Sequence, residues 1–441
     1  MTPWLTIVGV GAGGVETLPM RERALLAEAE VVLGPERLLG GLTPTRLPPP
    51  SPQGGGAMIG TAATENSLPL EGRDAGRQGG GIPTLVAWQP GLPAMLEQIK
   101  SRRGAPTVVL ASGDPMWFGV GATLAKHLPA GEIAIHPAPS AFQLAAARLK
   151  WPLQHVATLS LHGRPVELLH PHILPGNRLL ALTGDRGTIA AARELLLARA
   201  YGGSRLTVLE NLGAADERIT SAAARDFDPA GIGDFHVLAI ECLPDPAAPL
   251  LPPMPGLPDD AFRHDGQLTK REVRAATLAR LAPFPGALLW DVGAGCGSVA
   301  IEWMRAARDA RAIAFERDEG RCGLIAANAA ALGTPGLEIV AGEAPAALAG
   351  RPAPDAVFIG GDVANDLLFE ACWSALKSGG RLVANAVTLD GEAALYARQE
   401  QLGGELTRLE ISSLDRIGAE RVLRPRLAVT QWAVIKPGKS P

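Results

Sequence analysis

Two glycine-rich loops, one in each half of the chain, contain residues whose types and spacing suit binding of a nucleotide-like ligand. In LLWDVGAGCGSVAIE (residues 288–302) a predicted strand, Asp291, the glycines Gly293, Gly295 and Gly297, and a helix start follow one another. Glycines let a backbone approach a ligand closely and adopt positive φ, and ligands bind at this edge of an open α/β sheet. A carboxylate ahead of the glycines suits the cationic methionine moiety of S-adenosylmethionine better than a pyrophosphate. We therefore expect S-adenosylmethionine rather than NAD.

The next predicted strand ends at Glu316 in AIAFERD, where a carboxylate is placed to accept hydrogen bonds from a ribose diol. Two simpler interpretations stay open for these residues. The glycine turn can serve only to pack a helix on a strand, and Glu316 taken alone can be a solvated acid at a strand end.

The N-terminal loop fits GxGxxG through Gly9, Gly11 and Gly14, with Glu36 further along the chain. This pattern alone is a weak signal for a dinucleotide site. An NAD(P)-dependent dehydrogenase therefore remains an alternative at this point.

The order of apolar runs predicts an α/β protein. Beyond residue 258, five runs alternate with helical segments, which predicts a doubly wound, mostly parallel sheet; they are Ala287 to Val292, Ala312 to Glu316, Leu337 to Ala341, Ala356 to Gly360 and Arg381 to Ala386. Leu406 to Ser412 and Leu427 to Ile435 are expected to close it to seven strands as an antiparallel hairpin. Short apolar runs separated by helix-like stretches also predict α/β layering in the N-terminal half; they are Leu5 to Val8, Thr107 to Ala111, Ile133 to His136, Leu179 to Leu182, Leu206 to Leu209 and Val237 to Ile240.

Two segments rich in proline or glycine mark the predicted organisation. Residues 243–258 are proline-rich, which favours an extended linker between a domain at 1–242 and a domain at 259–441. Residues 48–83 are crowded with Gly and Pro, and we expect a disordered insertion there.

Composition excludes several classes of protein. The net charge of −4 argues against an extended nucleic-acid surface, and the 4 cysteines form no CxxC pair, so neither a disulfide framework nor a metal site is expected. Residues 1–10 lack the basic head and long apolar stretch of a signal peptide, and no segment offers the apolar run of a membrane span, so we expect neither. We expect a cytoplasmic protein that binds no metal, nucleic acid or membrane.

Three C-terminal segments together resemble the CbiT family of precorrin methyltransferases, which also decarboxylate their substrate. These segments are DDAFRHDGQLTKREVRA (259–275), DVGAGCGSVAIEW (291–303) and AGEAPAAL (341–348). The resemblance implies a Rossmann-like methyltransferase that methylates C15 of the macrocycle and removes CO2 from the ring C acetate. It implies S-adenosylmethionine contacts at Thr269, Gly293, Ala294, Gly295, Cys296, Gly297, Glu316, Glu343 and Ala344.

The N-terminal half resembles the CbiE family, which has the two-lobed tetrapyrrole methyltransferase fold. The segments that carry this resemblance are ASGDPMWFGVG (111–121), PAPSAFQLAAARL (137–149), SLHGR (160–164), LTGDRGTI (182–189) and VLENLGAADERIT (208–220). Ala12 stands where that family usually has proline. The resemblance implies methylation at C5, with S-adenosylmethionine near Gly113, Asp114, Ser140, Ala141, Thr183 and Gly213.

Asp114 and His162 are also the candidate catalytic residues. Asp114 can instead be a turn residue. His162 can act as an acid, a base or a carboxylate donor, and a structural role for it stays open.

Taken together, the two resemblances imply conversion of a precorrin to precorrin-8 in cobalamin biosynthesis. The meso carbons of a reduced porphyrinoid are enamine-like nucleophiles, so methyl transfer needs alignment more than a strong base. Candidates to hold the substrate's carboxylates are Arg263, Lys270, Arg271, Arg416, Arg421 and Arg424. Besides the dehydrogenase, the rival hypothesis is a non-enzymatic tetrapyrrole carrier. We expect a homo-oligomer.

Overall fold

The computed structural model describes residues 3–42 and 83–438. These residues form two five-stranded sheets, one seven-stranded sheet and a separate two-stranded hairpin. The insertion expected at residues 48–83 lies outside the described residues apart from Pro83. The α/β fold that the sequence predicts is confirmed.

The first sheet is wholly parallel, with strand order β3-β2-β4-β1-β5. Its strands are β1 (Leu5–Val10), β2 (Val31–Gly34), β3 (Thr84–Ala87), β4 (Thr107–Ser112) and β5 (Ile133–His136). Helices α1 (Met20–Glu28), α2 (Glu36–Leu39), α3 (Leu92–Lys100) and α4 (Val120–Leu124) connect them. Because β1 and β4 are parallel neighbours, their glycine loops leave the sheet at the same edge.

The second sheet is mixed, with order β6-β7-β10-β8-β9, and its β6 and β7 are parallel. Its strands are β6 (Ala157–Ser160), β7 (Arg178–Leu182), β8 (Arg205–Glu210), β9 (Arg218–Ala223) and β10 (His236–Glu241). Helix α5 (Ala141–Leu149) leads into this sheet, and α6 (Arg186–Ala198) connects β7 to β8. A capping box starts α5, because Ser140 Oγ accepts from the Gln143 backbone while the Gln143 side chain accepts from the Ser140 backbone.

The third sheet has order β13-β12-β11-β14-β15-β19-β16, and its first five strands are parallel. The C-terminal strands are β11 (Leu288–Val292), β12 (Arg311–Glu316), β13 (Glu338–Ala341), β14 (Ala356–Ile359), β15 (Arg381–Ala386), β16 (Glu405–Leu409), β17 (Ser412–Ile417), β18 (Glu420–Pro425) and β19 (Val429–Ile435). The helices are α7 (Arg271–Leu281), α8 (Ser298–Ala306), α9 (Glu319–Leu332), α10 (Asp366–Ala375) and α11 (Leu389–Leu402). Apolar layers cover both faces of this sheet.

The apolar runs of the sequence predicted most strands but missed several whose apolar pattern is weak. They did not anticipate β2, β3, β6 or β9, whose short runs lie beside turns or at sheet edges. The antiparallel pairing of β16 with β19 is confirmed. A separate hairpin of β17 and β18 lies between these two strands in the chain, and the sequence interpretation missed it.

The proline-rich segment 243–258 is docked at both ends rather than free. Near its start, the Asp245 backbone N–H donates to the Ala200 carbonyl at 2.8 Å. Near its end, the backbone N–H groups of Gly256 and Leu257 donate to the Glu302 carboxylate at 2.6 and 2.9 Å. Glu302 also accepts from the fully buried Arg274 guanidinium at 2.6 Å. Hydrogen bonds that the composition alone does not predict therefore fix the path of this segment.

The two halves touch directly beside this segment. Gly333, after α9, lies so close to the 3-10 helix Val166–His172 that a Cβ there would be 2.5 Å from Pro171 Cδ. Arg199 donates to His170 Nδ1 at 3.1 Å. Burial, with Arg199 and Arg305 nearby, lowers the pKa of His170 to about 4. The halves are therefore not isolated from each other by the proline-rich segment.

No helix in the described part of the chain has the length and apolar character needed to span a membrane.

Candidate active sites

A cavity of about 460 Å³ opens between the first and second sheets. Of the residues expected at the N-terminal site, its wall includes Gly113, Asp114, Ser140, Ala141, His162 and Thr183. Gly11 and Ala12 of the first glycine loop also line it. The structure thus brings together residues that are scattered over the whole N-terminal half of the sequence.

Close backbone packing shapes the floor of this N-terminal cavity. A Cβ at Gly9 would lie 2.5 Å from the Gly113 carbonyl oxygen and 2.7 Å from the Ala138 nitrogen. Gly113 has φ of +65° and donates its N–H to the Val10 carbonyl at 2.7 Å. Glycine at these two positions therefore lets three loops meet at one point.

The polar side chains of this cavity are held by local hydrogen bonds. Asp114 Oδ1 accepts from the Met116 backbone at 2.8 Å, which is the turn role that the sequence left open. Thr183 is buried and donates to the His236 carbonyl at 3.3 Å. His162 lies on the wall in a turn and is exposed. The turn bond of Asp114 leaves its second carboxylate oxygen for a ligand.

Gly213 does not line this cavity, although its neighbours Asn211 and Leu212 do. Its φ is +87° and its N–H donates to Glu217 at 2.8 Å. The turn therefore directs the Gly213 N–H to the Glu217 carboxylate, and a cofactor contact at Gly213 stays a prediction.

The wall also includes residues that were not among the predicted site residues. Those with large or charged side chains include Arg37, Trp117, Phe118 and Phe235. The two adjacent aromatic residues that follow the Gly113–Pro115 turn were a usable sequence signal for a ligand-binding wall. Nothing local distinguished Arg37 or Phe235.

A second cavity, of about 830 Å³, lies at the carboxyl edge of β11, β12 and β14 in the third sheet. Of the residues expected here, its wall includes Thr269, Gly293, Ala294, Gly295, Glu316, Glu343 and Ala344. Gly293 and Gly295 have φ of +71° and +59°. A Cβ at Gly295 would lie 2.9 Å from the Gln267 carbonyl oxygen. A side chain is therefore excluded where the loop passes the segment that leads to α7.

Glu316 ends β12, is buried, and organises the glycine loop. Its Oε2 accepts from the Gly295 backbone at 2.8 Å, and its Oε1 accepts from the Asp318 backbone at 3.1 Å. An ionised carboxylate has about four acceptor positions, so two remain after these bonds. The solvated strand-end interpretation is therefore wrong, because the side chain is only 5% exposed.

Cys296, Gly297 and Asp291 do not line the second cavity. Cys296 is buried in the core, where burial raises the pKa of its thiol to about 11. Gly297 has φ of +81°, and a Cβ there would lie 2.9 Å from Ile325, so this glycine packs one helix on another. Asp291 Oδ2 accepts from the Ala300 backbone at 2.9 Å, inside the protein rather than toward a cationic ligand. Burial raises the pKa of Asp291 to about 7.

The basic residues of this wall differ from those expected. Of the six candidates for binding substrate carboxylates, Lys270 lines the cavity, whereas Arg263, Arg271, Arg416, Arg421 and Arg424 do not. Arg317, Arg321 and Arg426 line it instead. Arg416, Arg421 and Arg424 lie on the β17–β18 hairpin.

A polar network at the end of β15 was also not predicted. Asn385 lines the cavity and donates to Thr277 at 3.1 Å, while Gln431 donates to the Asn385 side-chain oxygen at 2.9 Å. Polar residues within the strand patterns VANAV and VTQWAV were the available signal. The network fixes the orientation of the Asn385 amide.

Within residues 3–42 and 83–438, no group of three or more His, Cys, Asp or Glu side chains is placed to hold a metal ion.

Known proteins match the chain over both halves. Residues 4–228 match the family model for tetrapyrrole (corrin/porphyrin) methylases, and residues 260–436 match that for the precorrin methyltransferase domain. A precorrin-6Y C(5,15)-methyltransferase [decarboxylating] from Sinorhizobium sp is 45% identical over 99% of this chain and 97% of that protein. A protein of the same name from Mycobacterium tuberculosis is 37% identical over 98% of this chain and 100% of its own length.

Among solved structures, the C-terminal domain of precorrin-6Y C5,15-methyltransferase from Rhodobacter capsulatus is 43% identical, covering 42% of this chain and 100% of that one with a TM-score of 0.41. The relatives from Sinorhizobium and Mycobacterium match almost end to end, and both domain models lie in the same chain. The chain therefore belongs to the family of decarboxylating precorrin-6Y C5,15-methyltransferases.

Proposed function

We propose that the chain methylates a precorrin at C5 and C15 and removes the ring C acetate carboxyl as CO2, giving precorrin-8 in cobalamin biosynthesis. The observation that carries this proposal is the presence of two separate cavities, each beside a glycine loop, in a chain that matches its relatives along their whole length. The C5 step is assigned to the first cavity and the C15 step with decarboxylation to the second. Domains at 1–242 and 259–441, joined by 243–258, accord with this assignment.

The methyltransferase domains imply S-adenosylmethionine as the methyl donor, and we infer one donor site in each cavity. In the first, Gly113, Ser140, Ala141 and Thr183 offer close backbone and small polar groups near the N-terminus of α5. In the second, Gly293 through Gly295 and Glu316 suit the nucleoside, with Thr269, Glu343 and Ala344 on the adjoining walls. Steric exclusion of a Cβ at Gly295 and a buried carboxylate at Glu316 support the fit.

Methyl transfer needs the nucleophilic carbon in line with the sulfonium, so orientation supplies most of the rate enhancement. In the second cavity, the hydrogen-bonded Asn385 amide and the basic side chains of Lys270 and Arg426 are candidates for orienting the macrocycle. In the first, Asp114 and His162 both line the cavity and are the candidates for contact with the reacting ring.

Decarboxylation breaks the bond between the acetate CH2 and its carboxyl carbon, and the electron pair enters the conjugated ring. A protonated macrocycle accepts these electrons without a metal. The former acetate CH2 carbon then takes up a proton and becomes a methyl group. The protein's task is to hold the ring protonated and to leave the departing carboxylate without a strong cationic partner. Absence of a metal requirement remains a prediction.

The two rival functions make different predictions. A dehydrogenase would bind a nicotinamide cofactor and transfer no methyl group, and a carrier would bind the tetrapyrrole without changing it. Incubation of the full-length protein with precorrin-6Y and S-adenosylmethionine, followed by mass spectrometry, distinguishes the methyltransferase from the dehydrogenase and the carrier. We expect a gain of two methyl groups with loss of one CO2; recovery of unchanged substrate would overturn the proposal.

We also propose that the protein is a homo-oligomer. The β17–β18 hairpin exposes Leu414, Ile417 and Leu423, each by more than half of its surface, and apolar surface of this kind favours association. A second copy of the same hairpin is the simplest partner, because most oligomers are symmetric. Light scattering should report more than one chain, and Leu414→Glu should reduce the assembly size. The cytoplasmic location stays a prediction.

A further inference from the structure

Arg37 differs from several arginines around the first two sheets. Those arginines pair with acids: Arg103 with Glu132, Arg148 with Glu217, Arg178 with Glu241 and Arg218 with Glu210. Arg37 lines the first cavity and has no Asp or Glu partner among the described residues. Its charge is therefore available to a ligand.

The position of the Arg37 guanidinium is fixed by groups from both sheets. It stacks over the Phe235 ring at 4.7 Å from the centroid and donates to Ser112 Oγ. Arg37 lies on α2 beside the first sheet, whereas Phe235 directly precedes β10 of the second. Stacking on a ring keeps the N–H groups in the guanidinium plane available, and their fork geometry matches a carboxylate.

The same cavity exposes two aromatic rings. Trp117 and Phe118 are each 45% exposed, and both pack against Phe142, with ring centroids 6.4 and 5.9 Å away. The loop that presents them is tightly folded, since a Cβ at Gly119 would lie 2.5 Å from the Asp114 carbonyl oxygen. Exposed rings held in a cavity suit a flat, apolar ligand surface.

We propose that Arg37 binds a peripheral carboxylate of the tetrapyrrole while Trp117 and Phe118 contact the face of the ring. This inference rests on the proposed C5 methylation in the first cavity. S-adenosylmethionine also carries a carboxylate, but the residues inferred to bind it, Ser140 and Thr183, are only 4% and 7% exposed. Phe235, by contrast, is 51% exposed. This difference in burial places the methyl donor deep in the cavity and the macrocycle at the mouth, beside Arg37.

The test compares Arg37→Met and Arg37→Lys in the full-length protein, with Arg205→Met as the control. Arg205 is an exposed residue at the start of β8, away from the cavity lining. For the C5 methylation, Arg37→Met should raise the KM for the precorrin about tenfold or more, as expected for a lost charge-assisted hydrogen bond. Lysine keeps the charge but not the fork, so Arg37→Lys should give an intermediate KM. The Kd for S-adenosylmethionine at the first site should stay unchanged in both variants, as should all constants of Arg205→Met.

Two results would overturn the inference while leaving C5 methylation intact. One is a precorrin KM in Arg37→Met equal to that of the unmodified protein. The other is a weaker Kd for S-adenosylmethionine, which would assign the guanidinium to the donor's carboxylate. If Arg37→Met is unstable, Phe235→Leu removes the stacking surface, and an unchanged precorrin KM there counts equally against the proposal. Failure of the proposed function looks different, because the unmodified protein would then add no methyl group at C5.

Discussion

Replacement of Glu316 by glutamine should weaken S-adenosylmethionine binding at the C-terminal site alone. The Glu316 carboxylate is 5% exposed and accepts from the Gly295 and Asp318 backbones at 2.8 and 3.1 Å. A glutamine amide has one oxygen, so its NH2 group must face one of these N–H donors. Either the Gly295 or the Asp318 backbone N–H thereby loses its acceptor, and the ribose hydroxyls lose a charged acceptor.

The size of the effect follows from the charge of the lost acceptor. A hydrogen bond to a charged group contributes about 1.5 to 3 kcal/mol, which corresponds to roughly a 10- to 150-fold weaker Kd. Calorimetry on the full-length protein should resolve two donor sites. The N-terminal site serves as an internal reference, because its cavity lies between the first two sheets and does not include Glu316.

Glu370→Gln is the matched control, since Glu370 is exposed on α10 and does not line either cavity. It should leave both sites unchanged. A loss of less than about 0.3 kcal/mol in Glu316→Gln, close to the error of comparing variants, would remove Glu316 from the binding site. Equal weakening of both sites would show that the substitution acts through the whole fold.

Three further outcomes are expected. Asp114→Ala should yield a product that is decarboxylated but carries a single added methyl group, as read by mass spectrometry; a doubly methylated product would exclude a role for Asp114 at C5. Gly295→Ala places a Cβ 2.9 Å from the Gln267 carbonyl at φ of +59°, so release of labelled CO2 should cease, whereas Gly336→Ala, which meets open space, should release CO2 normally. The pKa of His170 is lowered by burial from 6.5 to about 4, so the unfolded chain binds more protons between these values and stability should fall as pH drops below about 6.5. The loss should approach 3 kcal/mol near pH 4, at about 1.4 kcal/mol per unit. Urea titrations should show that the free energy of unfolding depends less on pH in His170→Gln than in the unmodified protein. His127→Gln should leave this pH dependence unchanged, because His127 is exposed. Equal pH dependence in His170→Gln and the unmodified protein would contradict the reasoning.

The glycine loops and the class of fold could be read from the sequence because their signals are local. Gly293 and Gly295 stand between a predicted strand and a helix start, and positive φ is needed at both. The same local order wrongly predicted that Asp291 and Cys296 face the ligand, because both belong to the motif but are buried in the core. Strand alternation and the turn of the following helix decide such directions, and a motif does not specify them.

Contacts between distant residues were decided by the tertiary structure. Arg37 and Phe235 belong to different sheets, and neither has a local pattern that marks it as part of a cavity. The docking of residues 243–258 on Glu302, and the packing of Gly333 against Pro171, likewise depend on how separate elements meet. Sequence by itself thus determined the fold class, both glycine loops and the family resemblance, since neighbouring residues encode them. Tertiary packing decided which residues of each motif face a cavity and which residues without a sequence signal line it as well. The reason is that both depend on which faces of the helices and sheets are buried.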